Sequence, residues 1–229
     1  MPVLAATRDT LAQCRERPDH VDANALADVV LRDPLMALRL LTVVTQRLGP
    51  RLNRPVETVT AGLVLLGIEP FFHAFGELEG VEDRLADRPV ALAGVKALVA
   101  RAHRAARLAA AFAVHRQDDN AEALHQAALL TQFSGLLLWC EAPDAAQAIA
   151  DRQAADPQLR SIDAQRAVLG VELAAVESAL MARWGLPSLL EELMLPGLPT
   201  PAGPRSVRLA VRIAQEFWCS MLCWFRLFP

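Results

Sequence analysis

The sequence predicts an all-α fold, and three features lead to that prediction. Alanine, leucine and arginine dominate most of the chain, and apolar residues recur at spacings of three and four, as on one face of a helix. No segment shows the sustained alternation of apolar and polar residues that marks a half-buried strand. Glycine, proline and short polar side chains stand where helices are expected to begin and end.

The expected helices of the N-terminal half are bounded by caps and breaks. Asp22 is a favoured N-cap residue, and Asp33 combines a cap with Pro34, a residue that suits the first position of a helix. Gly49-Pro50 marks the end of the helix that begins there. The expected helices run over residues 22–31, 34–49, 56–66 and 70–78.

The C-terminal half is predicted to follow an acidic, mostly polar connector at residues 79–88. Its expected helices cover residues 90–115, 121–139, 144–154, 163–184 and 188–194, and a last one begins near Arg205. The segment from Pro196 to Pro204 contains four prolines and two glycines, so it is predicted to be a loop. Two sub-bundles, one to about residue 80 and one from about residue 90, are expected to pack together as one unit.

Composition and charge exclude several classes of protein. The formal net charge is −3 and neither sign forms a long run, so the chain lacks the basic surface that nucleic-acid binding requires. No segment reaches the roughly 18 apolar residues of a membrane span. Four scattered cysteines and the lack of a signal peptide predict a reducing, cytoplasmic location. We therefore expect neither a nucleic-acid partner nor a membrane span.

Five segments between residues 20 and 195 occur in a family-like order. They are LRDPL at 31–35 followed by Leu40-Leu41, VTA to LLG at 59–67, AHRAARLA at 102–109, AALLTQFSG at 127–135, and WGLP at 184–187. Together they resemble the HDOD family, a branch of the HD metal-dependent phosphohydrolase superfamily. The chain departs from the family pattern at Thr45-Gln46, where the family often has Asn-Ser.

The resemblance implies an HD-like multi-helix bundle in which an N-terminal sub-bundle packs on a C-terminal one. Residues 1–204 are expected to form this HDOD-like domain, with sub-lobes at about 1–80 and 90–204. Residues 205–229 are expected to form a C-terminal helix and an aromatic-rich tail, packed on the domain.

The metal ligands that HD enzymes use are mostly replaced in this chain. Those enzymes bind metal through a histidine, an adjacent His-Asp pair and a distal aspartate, because imidazole and carboxylate hold a divalent ion that activates water. By the resemblance, His103 stands at the first position, but Thr131 and Gln132 replace the pair with neutral groups. Glu172 and Glu177 are the only acids where the distal aspartate is expected, and neither is convincing. We therefore expect no catalytic residues, no metal and no cofactor.

His103 has two interpretations. In the first, it is a half-buried helix histidine that hydrogen-bonds to a neighbour. In the second, His103, Thr131 and Gln132 line a vestigial pocket that binds a small ligand without turning it over. Of the other histidines, His115 and His125 are expected at the surface, beside a turn between helices.

The C-terminal tail holds five of the twelve Phe and Trp residues in its last thirteen positions. These residues form the candidate interaction surface and are Phe217, Trp218, Trp224, Phe225 and Phe228. Such a cluster either docks on the bundle and seals the core, or forms a surface for a partner or a second copy, or lies in a membrane surface. A truncated or altered reading frame would also explain so abrupt a change in composition.

The resemblance implies a non-catalytic output or scaffold domain of bacterial signal transduction that binds other signalling proteins. Two alternatives remain: a divergent HD-type nucleotide phosphohydrolase, and a sensor that binds a nucleotide in the vestigial pocket. A homo-oligomer formed through the aromatic tail is compatible with the leading hypothesis.

Overall fold

A computed structural model of the chain describes residues 1–17, 21–49, 56–194 and 202–227. In this part of the chain all regular elements are helices, which confirms the predicted all-α class. The first six are α1 (Ala5–Glu16), α2 (Ala23–Val30), α3 (Pro34–Leu48), α4 (Val59–Leu66), α5 (Ile68–Ala74) and α6 (Val81–Arg84). The others are α7 (Pro89–His115), α8 (Ala121–Leu130), α9 (Phe133–Glu141), α10 (Pro143–Ala155), α11 (Ser161–Leu169), α12 (Leu173–Trp184), α13 (Ser188–Met194) and α14 (Ala202–Leu227).

The two predicted aspartate caps stand where the sequence places them. Asp22 accepts a hydrogen bond from the backbone N–H of Ala25 at 2.7 Å, at the start of α2. Asp33 accepts bonds from the N–H groups of Leu35 and Met36 at 2.9 and 3.2 Å, with Pro34 at the first position of α3. Local cap chemistry therefore fixes where α2 and α3 begin.

Two helices that were expected to be continuous are broken. The predicted helix 121–139 divides into α8 and α9, because the hydroxyl of Thr131 donates to the carbonyl of Ala128 at 2.8 Å and the local turn tightens. The predicted helix 163–184 divides into α11 and α12 at Gly170, whose φ of 73° is left-handed and ends α11.

Residues 79–88 are more than the polar connector that the sequence predicts. They contain α6, and both Val81 and Leu85 are buried in an apolar cluster. Val3 pairs with Gly80 in an isolated bridge, and its carbonyl accepts the N–H of Val81 at 2.7 Å. The connector is therefore anchored by contacts that are distant in sequence, which local patterns do not reveal.

The N-terminal segment and the start of α14 also differ from the prediction. Helix α1 was not expected, since it has no side-chain cap and buries only Thr7 and Leu11. Helix α14 begins at Ala202, so Pro204 lies in its first turn, where a missing N–H costs nothing. The rest of the predicted loop, residues 196–201, lies outside the described residues.

The apolar core forms three clusters that draw on both halves of the chain. The largest joins residues of α1 to α5 with Leu130, Phe133, Met181, Leu186 and Leu190. The second lies between α7, α8, α13 and α14, and the third joins α3 and α6 with α7 and α9. The division into sub-lobes at about residues 80 and 90 stays a prediction.

Helix α14 begins beside the end of α7. The Arg116 guanidinium, just after α7, donates to the carbonyl of Ala202 at 2.6 Å. Along the contact, small side chains such as Ala106 and Ala109 of α7 pack with Ala210 and Ala214 of α14. These short side chains let the helix axes approach closely.

The aromatic tail is described only in part. The backbone of α14 is helical to Leu227, so Phe217, Trp218, Trp224 and Phe225 belong to this helix. Their side chains lie outside what the structure describes, as does Phe228 entirely. Within the described ranges, none of the helices combines the length and apolarity needed to cross a bilayer.

Asp33→Ala is expected to lower the free energy of unfolding by about 3 kcal/mol or more, because three backbone N–H groups in a buried setting lose their acceptor. Asp22→Ala is the matched control, since Asp22 caps α2 at an exposed site, and it should cost only about 1 kcal/mol. Urea unfolding of both variants measures the difference. Equal losses would contradict the special role of Asp33.

Candidate functional site

His103 joins α7 to the turn between α2 and α3. The side chain is half-buried, and its Nε2 lies 2.9 Å from the carbonyl oxygen of Arg32. A carbonyl oxygen only accepts, so this contact assigns the proton of the neutral ring to Nε2. The imidazole nitrogen is therefore engaged by backbone.

Thr131 and Gln132 form the break between α8 and α9, and both are half-buried. The Thr131 hydroxyl is used locally, by the carbonyl of Ala128. In the part of the chain that the structure describes, no hydrogen bond joins His103 to either side chain. His103, Thr131 and Gln132, the three residues predicted to line a vestigial pocket, are therefore not connected to one another by hydrogen bonds in the described part of the chain.

Glu177 is a site residue that the sequence argument set aside. The buried hydroxyl of Ser134, three residues after Thr131, donates a short hydrogen bond to the carboxylate of Glu177 on α12. Burial raises the pKa of Glu177, and the Ser134 bond opposes that rise. A sequence signal was available, because Glu177 is flanked at helical spacing by the apolar residues Leu173 and Met181.

Gln126 is a second polar residue that the sequence argument missed. Its side chain is buried in α8, where Oε1 accepts the N–H of Val59 at 2.5 Å and Nε2 donates to the carbonyl of Glu57 at 2.9 Å. This amide therefore binds backbone at the start of α4 with both of its ends. Like His103, it ties a helix of the C-terminal half to backbone of the N-terminal half.

His125 is half-buried rather than at the surface, where the sequence argument expected it. Burial lowers the pKa of His125, the proximity of His103 lowers it further, and Glu122 opposes both effects. Positions beside a turn between helices are usually exposed, but His125 lies within α8 and is partly covered by the protein. His115, at the end of α7, is exposed as expected.

Cys140 is a buried thiol that does not suit nucleophilic chemistry. Burial raises its pKa to about 12, so the thiol stays protonated at neutral pH. Helix α9 packs this side chain into an apolar cluster, as expected for a small core residue.

The residues at this site do not fit a divalent metal ion. Thr131 offers a hydroxyl that is bonded to backbone, Gln132 offers a neutral amide, and His103 has Nε2 bound to Arg32. Glu177 is bonded to Ser134. Among the residues that the structure describes, no three or more His, Cys, Asp and Glu side chains are grouped so as to hold an ion.

Comparison with known proteins confirms the resemblance found in the sequence. The family model described as the HDOD domain matches residues 1–196. None of the curated proteins matches the chain.

Solved structures show the same fold. The MmoQ response regulator from Methylococcus capsulatus str. Bath superposes with a TM-score of 0.73 at 16% identity, covering 93% of this chain and 85% of that one. A virulence factor (cj0248) from Campylobacter jejuni subsp. jejuni superposes with a TM-score of 0.70 at 16% identity, covering 93% and 76%.

Glu177→Gln should change how stability depends on pH. The pKa of Glu177 in the folded protein is raised above its ordinary value of 4.5, so the protonated carboxyl stabilises the folded state at a pH below about 4.5. This contribution to the free energy of unfolding is lost as the pH rises through the pKa of the folded state. A glutamine side chain cannot ionise, so the variant should gain stability relative to the parent as the pH rises above about 4.5. Parallel urea unfolding across this range measures the gain.

The control for that comparison is Glu69→Gln, which changes an exposed glutamate of α5. Its difference from the parent should stay nearly constant over the same range. If both variants show the same pH profile, burial of the Glu177 carboxyl is not the cause.

Proposed function

This chain belongs to the HDOD domain family, and from that premise we propose that it is a non-catalytic signalling domain that acts by binding other proteins. A structural neighbour from Methylococcus capsulatus is named a response regulator, which makes signal transduction the natural class to test. The proposal places the protein in the bacterial cytoplasm, where a free thiol such as that of Cys140 stays reduced.

The observation that carries the proposal is the pair of neutral side chains, Thr131 and Gln132, at the positions where the resemblance places the His-Asp ligand pair. A catalytic HD centre needs an imidazole nitrogen as a metal ligand, together with two or more further charged or imidazole ligands. Here Nε2 of His103 holds a backbone turn, the Thr131 hydroxyl is bonded to backbone, and Gln132 is neutral, so the further ligands are lacking at these positions. The proposed role of His103 and Thr131 is thus to stabilise the backbone of the fold, and not to hold a metal ion that activates water.

Metal content provides the first test. We expect the purified chain, produced in medium that contains Mn, Fe, Zn and Mg, to retain far less than stoichiometric metal by mass spectrometry of the elements. His103→Gln should leave that small amount unchanged, because no ligand set depends on His103. Stoichiometric metal in the parent that disappears in His103→Gln would support the divergent phosphohydrolase instead.

The partner surface is proposed to include the aromatic tail. Phe and Trp are enriched at the centres of protein interfaces, where they bury large area with little loss of conformational entropy. The described inward-facing side chains of α14 end at Ala214, so residues 217–229 follow the part that anchors this helix. A second copy of the chain is the first partner to examine.

Light scattering of the full chain and of a variant that ends at Glu216 tests the tail. The average mass of the full chain should rise with concentration, whereas the shortened chain should remain monomeric. Circular dichroism should show that the shortened chain keeps its helical fold, since its described core contacts are retained. If both forms are monomeric and equally soluble, self-association through the tail is wrong.

A further inference from the structure

The outer side of α7 presents a continuous row of exposed and half-buried residues. They recur at spacings of three and four, so they lie on one face of the helix, away from the alanines that are buried against α8 and α14. At 1.5 Å per residue the row is about 32 Å long. We call it the α7 strip, and its members are Ala93, Lys96, Ala100, His103, Arg107, Ala111 and Val114.

Charge sets α7 apart from the rest of the chain. The helix contains four Lys and Arg residues and neither Asp nor Glu over 27 positions. The remaining 19 Lys and Arg residues of the protein stand against all 26 of its Asp and Glu residues. Helix α7 is therefore a positive element in a chain that is otherwise negative.

Three cations at the strip are exposed and lack an acidic partner. Among the described residues, no carboxylate lies within 4 Å of Lys96, Arg107 or Arg32. Arg32 stands at the edge of the strip, because its carbonyl is bonded to His103 on α7. Other exposed arginines, such as Arg160, are held by a carboxylate of the same chain. The three cations are therefore available to an anion from outside the chain.

The side chains between and beside these cations are short. Ala93, Ala100 and Ala111 are exposed on the strip, so a second helix can approach the backbone of α7 closely. Lys96 and Arg107 are separated by about three helical turns, or about 16 Å. Acidic side chains at the same spacing on a partner helix can bind both of them.

Two other classes of partner fit the strip less well. Nucleic-acid surfaces neutralise many phosphates, which takes more cations than the strip and its edge provide. Helices that lie in a membrane surface combine cations with large apolar side chains. The largest exposed apolar side chain of the strip is that of Val114, and the others are alanines. The chemistry of the strip therefore favours an acidic protein segment.

We propose that the α7 strip docks an acidic helix of a partner protein, whose carboxylates bind Lys96, Arg107 and Arg32 and whose apolar side chains pack on the alanines. The inference rests on the proposed function, since it names the class of partner that a protein-binding domain would take. It does not depend on the aromatic tail.

Fluorescence anisotropy with a rhodamine-labelled helical peptide of about 22 residues, which carries glutamate and leucine along one face, tests the proposal. The peptide should bind the full chain, and added salt should weaken binding because it screens exposed charges. A peptide with glutamine in place of every glutamate should bind about tenfold more weakly, since it keeps the apolar contacts and loses the ion pairs.

Charge reversal tests the location of binding. Lys96→Glu/Arg107→Glu should weaken binding of the glutamate peptide about tenfold or more, because two attractions become repulsions. Arg152→Glu/Arg183→Glu makes the same change in net charge at exposed positions of α10 and α12, and it should alter binding less than about twofold. Circular dichroism checks that both variants are folded.

A bulky side chain tests the close approach of the partner. Ala100→Trp should weaken binding of the glutamate peptide, because the indole holds the partner helix away from α7. Ala154→Trp, at an exposed position of α10, should leave it unchanged.

The proposal is overturned if the glutamate peptide does not bind at millimolar concentration, if the glutamine peptide binds as tightly, or if the paired variants behave alike. Tighter binding of single-stranded DNA or of anionic vesicles to the strip would overturn it too. So would self-association that Lys96→Glu/Arg107→Glu abolishes, since the occupant would then be a second copy. Stoichiometric metal would instead overturn the proposed function and leave the peptide result unchanged.

Discussion

The buried carboxylate of Asp33 connects more of the N-terminal half than any other polar group described for that half. It accepts the N–H of Leu4 at 2.7 Å as well as those of Leu35 and Met36, and Thr7 adds a hydroxyl bond. Burial raises the pKa of Asp33, and these four hydrogen bonds oppose that rise. Because a buried carboxylate needs its partners, the segment before α1 and the start of α3 are fixed together.

The same turn is held from its other side by the C-terminal half. His103 bonds the carbonyl of Arg32, the residue before Asp33, and Gln126 bonds backbone at the start of α4. Polar side chains on α7 and α8 therefore bind backbone groups at the ends of N-terminal helices. Buried polar groups need partners whether or not a metal is present, and in this protein backbone supplies them.

The sequence predicts a helix well where the contacts that fix its ends are local, and poorly where they join residues far apart in the chain. Asp22 and Asp33 act on neighbouring N–H groups, so their helices could be predicted from local residues. Helix α6 depends on the bridge between Val3 and Gly80, which joins residues far apart in sequence. The break at Thr131 depends on its hydroxyl, which bonds the carbonyl of Ala128 within an otherwise apolar stretch. The spacing of apolar residues does not indicate such a bond.

For the candidate site, the sequence could name residues but could not show their hydrogen bonds. His103, Thr131 and Gln132 could be named from the resemblance, whereas the hydrogen bonds of His103 and Thr131 were not visible in the sequence. The pattern of apolar residues does not reveal Glu177 and Gln126, because it indicates which face of a helix is buried but not which polar residues on that face have partners. Both are polar groups whose partners come from another helix, Ser134 for Glu177 and backbone near Val59 for Gln126.

Several of the features that this chain shares with the HDOD pattern shape helix ends. Asp33 caps α3, and Gly67 and Gly185 adopt φ values of 83° and 60° that an L side chain rarely takes. Gly185 also faces Thr45, whose Cγ2 would lie 2.8 Å from a Cβ at that position, so glycine is required by space as well as by φ. A resemblance carried by helix ends therefore supports the fold and does not by itself determine the chemistry of the site.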